Sequence, residues 1–247
     1  MGIVLENNTN RSDPIQLNVQ PKNTKLGLIY NVSLPAIETC NGMTESCAGE
    51  DGKCYVLKLY KRYPNVEISH KTQLANVNEA LANGDILELP NKVKNTDIFR
   101  LHVSGDFFSP QYAYAWFKLI TDNPTIEFFA YTRSWRIAEM IKPLHDIGEL
   151  PNMKLLLSVD RDTGYPDTAI WQGYRTAFMM VTDADADLVE PDTHIVFRDS
   201  RYAVLKQVNG CLVCPVENGA SSIHTTCRKC QWCFRKEPNK TALKVGV

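Results

Sequence analysis

Cysteine is the residue whose placement in this chain carries chemistry. Its eight copies fall into two groups: Cys40, Cys47 and Cys54 near one end, and Cys211, Cys214, Cys227, Cys230 and Cys233 near the other. None lies between Cys54 and Cys211. The spacings C-x6-C-x6-C and C-x2-C-x12-C-x2-C-x2-C read as ligand sets for a metal or an iron–sulfur cluster, because the thiolate is the soft donor that both require. Three thiolates hold a cubane [4Fe-4S] cluster and leave one iron open to a substrate or cofactor. The front gaps exceed the roughly two to four residues between paired ligands of zinc knuckles, so the front set points to a cluster. In the back set, Cys227, Cys230 and Cys233 form the C-x2-C-x2-C run of bacterial ferredoxins, and Cys214-Pro215 echoes their Cys-Pro on the other side of the run. Five thiols are one more than a closed four-ligand site takes. The spare thiol either completes the front cluster, giving two full sets, or stays unligated. Zinc held by Cys211, Cys214 and two of the later three is the alternative at this end.

A disulfide framework is the competing use of eight cysteines. It suits small secreted domains, whereas 247 residues can bury a core without staples, and Met1 to Asp13 has no apolar run of the signal-peptide kind. Glu6 stands where a myristoylation motif starting at Gly2 needs Ser or Thr, and no stretch approaches a membrane span. The expectation is a soluble protein in a thiol-reducing compartment with no membrane partner. A net charge of -1 gives no global pull toward nucleic acid. A local one exists where Arg228, Lys229, Arg235, Lys236 and Lys240 surround Trp232 and Phe234. Two other patterns fall away. Asp183-x-Asp185-x-Asp187 has Leu188 where a calcium loop needs glycine and His194 where it needs glutamate. His70, His145 and His224 have no ligand spacing to one another.

Positioning these groups falls to an alternation of strands and helices. A polar leader over 1–23 is expected to be flexible, 24–205 to form the main domain with the first cysteine loop, and 206–247 to be a cysteine-rich extension. Leu26 to Ser33 reads as a strand feeding that loop. Leu74, Val77 and Leu81 mark one helical face that stops at Asn83-Gly84. A strand over Asp97 to Val103 is followed by Ser109-Pro110, a cap and first turn, and by the stripe Ala113, Trp116, Phe117, Ile120. Ile126 to Tyr131 is the next strand. Ser134 is placed to cap a helix buried through Ile137, Met140, Ile141 and Leu144 and ended by Gly148. A strand over Met153 to Val159, a helix over Asp167 to Arg175, and strands over Ala177 to Val181 and His194 to Phe197 complete the series. Strands apolar almost throughout, separated by amphipathic helices, predict an α/β fold with a parallel sheet, either doubly wound or a full or partial barrel.

Both architectures put function at the C-terminal strand ends, where polar residues gather: Ser104-Gly105-Asp106, Thr132-Arg133-Ser134, Ser158 with Asp160-Arg161, and Thr182-Asp183. Strand alternation predicts that Arg100, His102 and Ser104 share one face and Phe99, Leu101 and Val103 the other.

Ser33-Leu34-Pro35-Ala36 leading into Cys40, then Cys54-Tyr55, then Arg100 through Phe107 (RLHVSGDF), resemble the phage gene-product-88 family. Tyr131 through Arg136 and Leu157-Ser158-Val159-Asp160 resemble strand ends of phage proteins of radical S-adenosylmethionine type. Together the resemblance runs from Leu26 to Cys233. It implies a partial (β/α) barrel of radical-SAM type whose first loop carries the three cluster cysteines. It implies that the open iron takes the amino and carboxylate groups of S-adenosylmethionine. Ser104, Gly105 and Asp106 would then sit by the cofactor's amino group, Ser158 and Asp160 by its ribose, and Arg133 on the same rim. An electron from the reduced cluster would cleave the sulfonium to give a carbon radical. The main radical family spaces its ligands C-x3-C-x2-C with an aromatic before the last cysteine, whereas here the gaps are six and six and Tyr55 follows.

Three functions compete on these grounds. The first is a radical-type enzyme acting on a nucleotide or nucleic acid. The second is a non-catalytic [4Fe-4S] protein that exchanges electrons with, or senses redox state for, a viral or host partner. The third is a zinc-stabilised nucleic-acid binder. Each is expected in the cytoplasm of an infected host cell.

Overall fold

The structure, a computed structural model, describes residues 15–48, 54–198, 206–216 and 225–235. In chain order the strands are β1 (Ile15–Gln16), β2 (Tyr30–Asn31), β3 (Leu87–Glu88), β4 (Ile98–Leu101), β5 (Glu127–Thr132), β6 (Met153–Val159), β7 (Arg175–Met180), β8 (Ile195–Arg198), β9 (Gln207–Val208) and β10 (Cys211–Leu212). The helices are α1 (Glu45–Ala48), α2 (Tyr55–Arg62), α3 (Pro64–Asn83), α4 (Pro110–Thr121), α5 (Ala138–Gly148) and α6 (Cys227–Cys230).

Six strands make one parallel sheet in the order β2-β4-β5-β6-β7-β8. Each strand lies beside its successor, so the winding never reverses as it does in a doubly wound sheet. Right-handed crossovers then put every connection on the same face. The sheet curls but stays open between β2 and β8, which makes it a half-barrel.

Phe99, Leu101, Phe128, Ala130, Leu155, Leu157, Val159, Phe178 and Val196 face the helices and share a core with Trp116, Met140 and Leu144. The alternate residues Ile98, Phe129, Leu156, Ala177 and Ile195 face the other way, where no crossover helix lies. The cysteine-rich segment covers them instead. Phe234 packs on Phe129 with ring centroids 4.7 Å apart, Trp232 stacks on His194, and the Cys214 amide donates to the Val196 carbonyl at 2.8 Å. Fully exposing any one of these large apolar side chains costs about 1.5–3 kcal/mol, so the segment is part of the core. At the other end, residues 15–23, expected within a flexible leader, are packed: Leu17 and Val19 are buried and Gln20 bridges to Asn31.

Local chemistry explains where elements match their expectation and where they shift. Gly84 closes α3 in the left-handed conformation (φ 70°), and the Ser109 hydroxyl accepts from the Tyr112 amide at 3.2 Å to cap α4. The strand expected over Leu26 to Ser33 shrinks to Tyr30–Asn31, because Asn23 Oδ1 gathers the Lys25 and Leu26 amides and Gly27 turns left-handed. Ser134 does not cap α5; it opens a 3-10 turn, and Ile137 precedes the helix without a side-chain cap. Gly148 is the last residue of α5 and has no left-handed φ; a Cβ there would stand 2.5 Å from the Tyr174 ring, so close packing explains it. The helix expected over Asp167 to Arg175 is one 3-10 turn, Ala169–Trp171, because Gly173 (φ 84°) breaks the chain and Arg175 already belongs to β7.

Candidate metal and cofactor site

The loop after β2 carries Cys40, Cys47 and Cys54 across the C-terminal ends of β4, β5 and β6. Leu34 starts it by donating its amide to the Ser104 carbonyl at 2.8 Å, while the Ser104 hydroxyl donates to the Leu34 carbonyl at 2.8 Å. Two glycines let the loop lie close. A Cβ on Gly42 would stand 2.2 Å from the Arg133 carbonyl oxygen, and one on Gly105 (φ 80°) would stand 2.5 Å from Thr39 Oγ1. Cys47 lies in α1, its amide donating to Thr44 Oγ1 at 3.2 Å, and Cys54 immediately precedes α2. The Tyr55 hydroxyl donates to the Val103 carbonyl and fixes the far side of the loop.

Two carboxylates and one guanidinium tie the loop to the strand ends. Asp160, fully buried, accepts from Thr44 Oγ1 at 2.7 Å and from Arg133 Nη2 at 3.1 Å. Arg133 Nη1 reaches Cys47 Sγ at 3.6 Å and Nη2 reaches Met179 Sδ at 3.8 Å, while its buried Nε has no partner among the described residues. Asp106 accepts from the Phe107, Arg133 and Ser134 amides at 2.7, 2.8 and 3.3 Å, so it holds the turn after β5 in place. Ser158 stands on β6, its carbonyl accepting from Trp135 Nε1 at 3.0 Å.

The three front thiols lie within one another's field. Burial pushes the Cys40 thiol up to about 12, with the Asp106 carboxylate adding to it and Cys47 and Cys54 contributing further. Burial also raises Cys47, against the opposing pull of Arg133, with Cys54, Asp160 and Asp106 adding. Burial raises Asp106 despite its hydrogen bonds.

The back set forms a second group. The Cys233 thiol is raised by burial, opposed by the Tyr131 hydroxyl beside it, and pushed further by Cys214, Cys227 and Cys230. Cys211 stands outside both groups: its Sγ donates to the Glu190 and Pro191 carbonyls at 3.2 and 3.4 Å, and it belongs to the helix-side core. Among the described residues, no three or more His, Cys, Asp or Glu side chains are arranged to hold a single metal ion.

Other expected placements differ. Arg100, His102 and Ser104 do not share a face, because His102 adopts a left-handed φ of 56° that ends β4. The imidazole turns into the helix-side aromatics, against Phe107 and Trp116, with Nε2 2.9 Å from the Tyr112 hydroxyl. Arg100 stays on the open face, 5.1 Å over the Tyr131 ring and 5.9 Å over Phe129. Phe234 is buried and Trp232 Nε1 donates to the His194 carbonyl, so these aromatics fill the protein rather than project from it. Arg228 and Lys229 line a cavity of about 600 Å³ with Tyr30 and Lys92. Lys236, Lys240 and His224 lie outside the described residues. No described helix is long and apolar enough to cross a membrane.

Thr44, Gly42, Asp162 and Tyr131 belong to this architecture although their spacing did not mark them. Asp162 sits two residues beyond Asp160 and accepts from the Ser46 amide at 2.7 Å, a proximity to the rim that could have singled it out.

No solved structure matches this chain. The Gene 88 protein of Mycobacterium phage L5 is 33% identical over 156 residues, covering 57% of this chain and 61% of that protein. That of Mycobacterium phage D29 is 30% identical over 152 residues, covering 57% and 60%. The matches thus span less than two thirds of these relatives' lengths. The family model described as Gene product 88 matches residues 5–236, and on that extent the chain belongs to the gene product 88 family.

Proposed function

We propose that this protein is an iron–sulfur protein in which Cys40, Cys47 and Cys54 hold a [4Fe-4S] cluster at the mouth of the half-barrel, and that it is a radical S-adenosylmethionine enzyme acting on a nucleotide or nucleic acid. One observation carries the reading: a single loop lays three thiols, within electrostatic reach of one another, over the C-terminal strand ends beside Asp106, Arg133 and Asp160. The donor type supports the reading, since thiolates hold such a cluster, although the three are not drawn in to the spacing of a single-ion site. Three soft thiols on one loop match a cluster that leaves one iron free, and a carboxylate-anchored guanidinium stands against one of them with a buried Nε that has no partner among the described residues. When bound, such a cluster supplies one electron and an open coordination position.

The chain's own residues position and shield. Asp160 fixes Arg133, Asp106 fixes the backbone that carries Arg133, and Ser104 with Gly105 brings the loop down onto the sheet. Arg133 would orient an anionic group of the bound cofactor and Ser158 would face its ribose, as the resemblance to radical enzymes implies, whereas Asp160, fully buried with both oxygens engaged by Thr44, Arg133 and the Asp162 and Thr163 amides, would act by holding Arg133.

A second reading draws on the same geometry. The Ser104 hydroxyl and the Asp106 carboxylate are already engaged by the chain itself, which favours a non-catalytic cluster serving a redox partner. Anaerobic reduction with S-adenosylmethionine separates the two. Release of 5′-deoxyadenosine that is lost in C40A/C47A/C54A supports the enzyme. Intact cofactor alongside a reduced-cluster resonance unchanged by its addition supports the redox protein.

A further inference from the structure

We infer that Cys214, Cys227, Cys230 and Cys233 form a second, closed thiolate metal centre that seals the open face of the half-barrel, with the half-buried Arg100 as a counter-charge and Cys211 excluded. The inference does not depend on the front cluster.

Two separate segments bring the sulfurs together. Cys214 is anchored to the sheet edge by its amide bond to Val196 and packs in the same apolar cluster as Cys233. Cys227 and Cys230 lie one turn apart on α6, which is docked by the Cys227 amide donating to the Lys25 carbonyl at 2.9 Å. Gln231 then takes a left-handed φ of 58° and turns the chain back, so that Cys233 shares an apolar cluster with Cys227 as well. The result is three thiols, Cys214, Cys227 and Cys233, gathered among Phe129, Leu156 and Ile195, in a place where an ordinary core would put aliphatic side chains, with Cys230 one helical turn from Cys227 and within electrostatic reach of Cys233.

Charge supplies the second observation. The Arg100 side chain lies on this face over two aromatic rings, its Nε is buried without a partner, and among the described residues no carboxylate pairs with it. A second cation, Arg175, reaches the same segment and donates to the Cys233 and Arg235 carbonyls at 3.3 and 2.9 Å, and cations on an apolar face are costly unless an anion is near. Tyr131, whose ring Arg100 covers, has its hydroxyl beside Cys233. Four thiolates around a divalent cation, or around a [4Fe-4S] core of charge 2+, carry a net charge of -2, which is the anion that Arg100 lacks. Metal uptake displaces the four thiol protons. The gathered thiols are not drawn in to single-ion spacing, so a bound ion must pull them closer or a cluster must fill the space between them.

The test uses the full chain carrying C40A/C47A/C54A, so that front and back sites fail independently. Purified anaerobically, it should retain about one zinc, or about four iron with four sulfide, per chain. Cys211→Ser added to that background should keep this content, and Cys230→Ser should lose it. Because Cys230→Ser can also unfold the chain, metal-stripped, reduced C40A/C47A/C54A protein, with and without Cys211→Ser, should be titrated with Co2+. An intense thiolate-to-cobalt absorption in both supports the centre. Arg100→Gln should release metal to a chelator faster than wild type, with Arg100→Lys restoring retention. Absence of retained metal together with no cobalt absorption, or equal metal loss in Cys211→Ser and Cys230→Ser, overturns the inference.

Discussion

Arg133 joins what the chain keeps far apart. Its guanidinium links Asp160, Cys47 and Met179, and Asp160 in turn holds Thr44 across a separation of 116 residues. The polar identity of these strand-end residues was legible in the sequence, but a hydrogen bond spanning that separation leaves no trace in spacing. Gly42 is the sharpest case, since a Cβ 2.2 Å from a backbone oxygen has no side chain to push aside. Gly42→Ala should therefore lift the loop off β5, lower stability by about 1–3 kcal/mol in urea denaturation, and lower the iron content if the front thiols hold the proposed cluster. Unchanged stability and iron would show that the loop does not need this close approach. His102 gives a pH signature. Burial, with Arg100 adding, holds its folded pKa down to about 3 against 6.5 when free. Between those values the unfolded chain binds a proton that the folded chain does not, so stability falls as pH drops from 6.5 toward 3. His102→Asn tolerates the left-handed backbone and does not titrate, so its melting temperature should fall less steeply with acid. Parallel curves for variant and wild type would remove His102 as the cause.

Helices α3 and α4 were readable because their signals are local: a face repeating every three to four residues, Ser109 before Pro110, and glycine after Asn83. Ser109→Ala should cost about 1 kcal/mol in denaturant unfolding through loss of the cap bond to Tyr112, and a cost indistinguishable from zero would reassign the start of α4 to packing alone. The strand over Leu26 to Ser33 and the helix over Asp167 to Arg175 were misread because each apolar pattern is interrupted by a backbone turn, at Gly27 and Gly173, that hydrophobic periodicity does not register. Ser134 failed as a cap because β5 runs into a 3-10 turn before α5 begins, leaving its hydroxyl buried with no partner among the described residues. The alternation expected through Arg100, His102 and Ser104 failed for a similar reason, since one left-handed residue reverses which face the next side chain takes.

Over the molecule, the six strands of the parallel sheet and their direction were legible, the four short strands outside it were not, and the choice between a doubly wound sheet and a half-barrel, which depends on strand order, came from the resemblance and not from periodicity. A half-barrel with its connections on one side leaves the other face to be covered, and that requirement gives the C-terminal cysteines their place. The two thiol groups were expected as ligands, yet composition could not assign the spare sulfur. The structure places Cys211 with the helix-side core and leaves three thiols at the mouth and four against the sheet. If the front three bind a cluster, its removal should be selective and countable. Iron and acid-labile sulfide per chain, measured on anaerobically purified wild-type protein and on C40A/C47A/C54A that still folds by circular dichroism, provide the test. The wild type should exceed the variant by about four of each. Equal iron and sulfide in the two proteins would contradict a cluster at the mouth of the half-barrel.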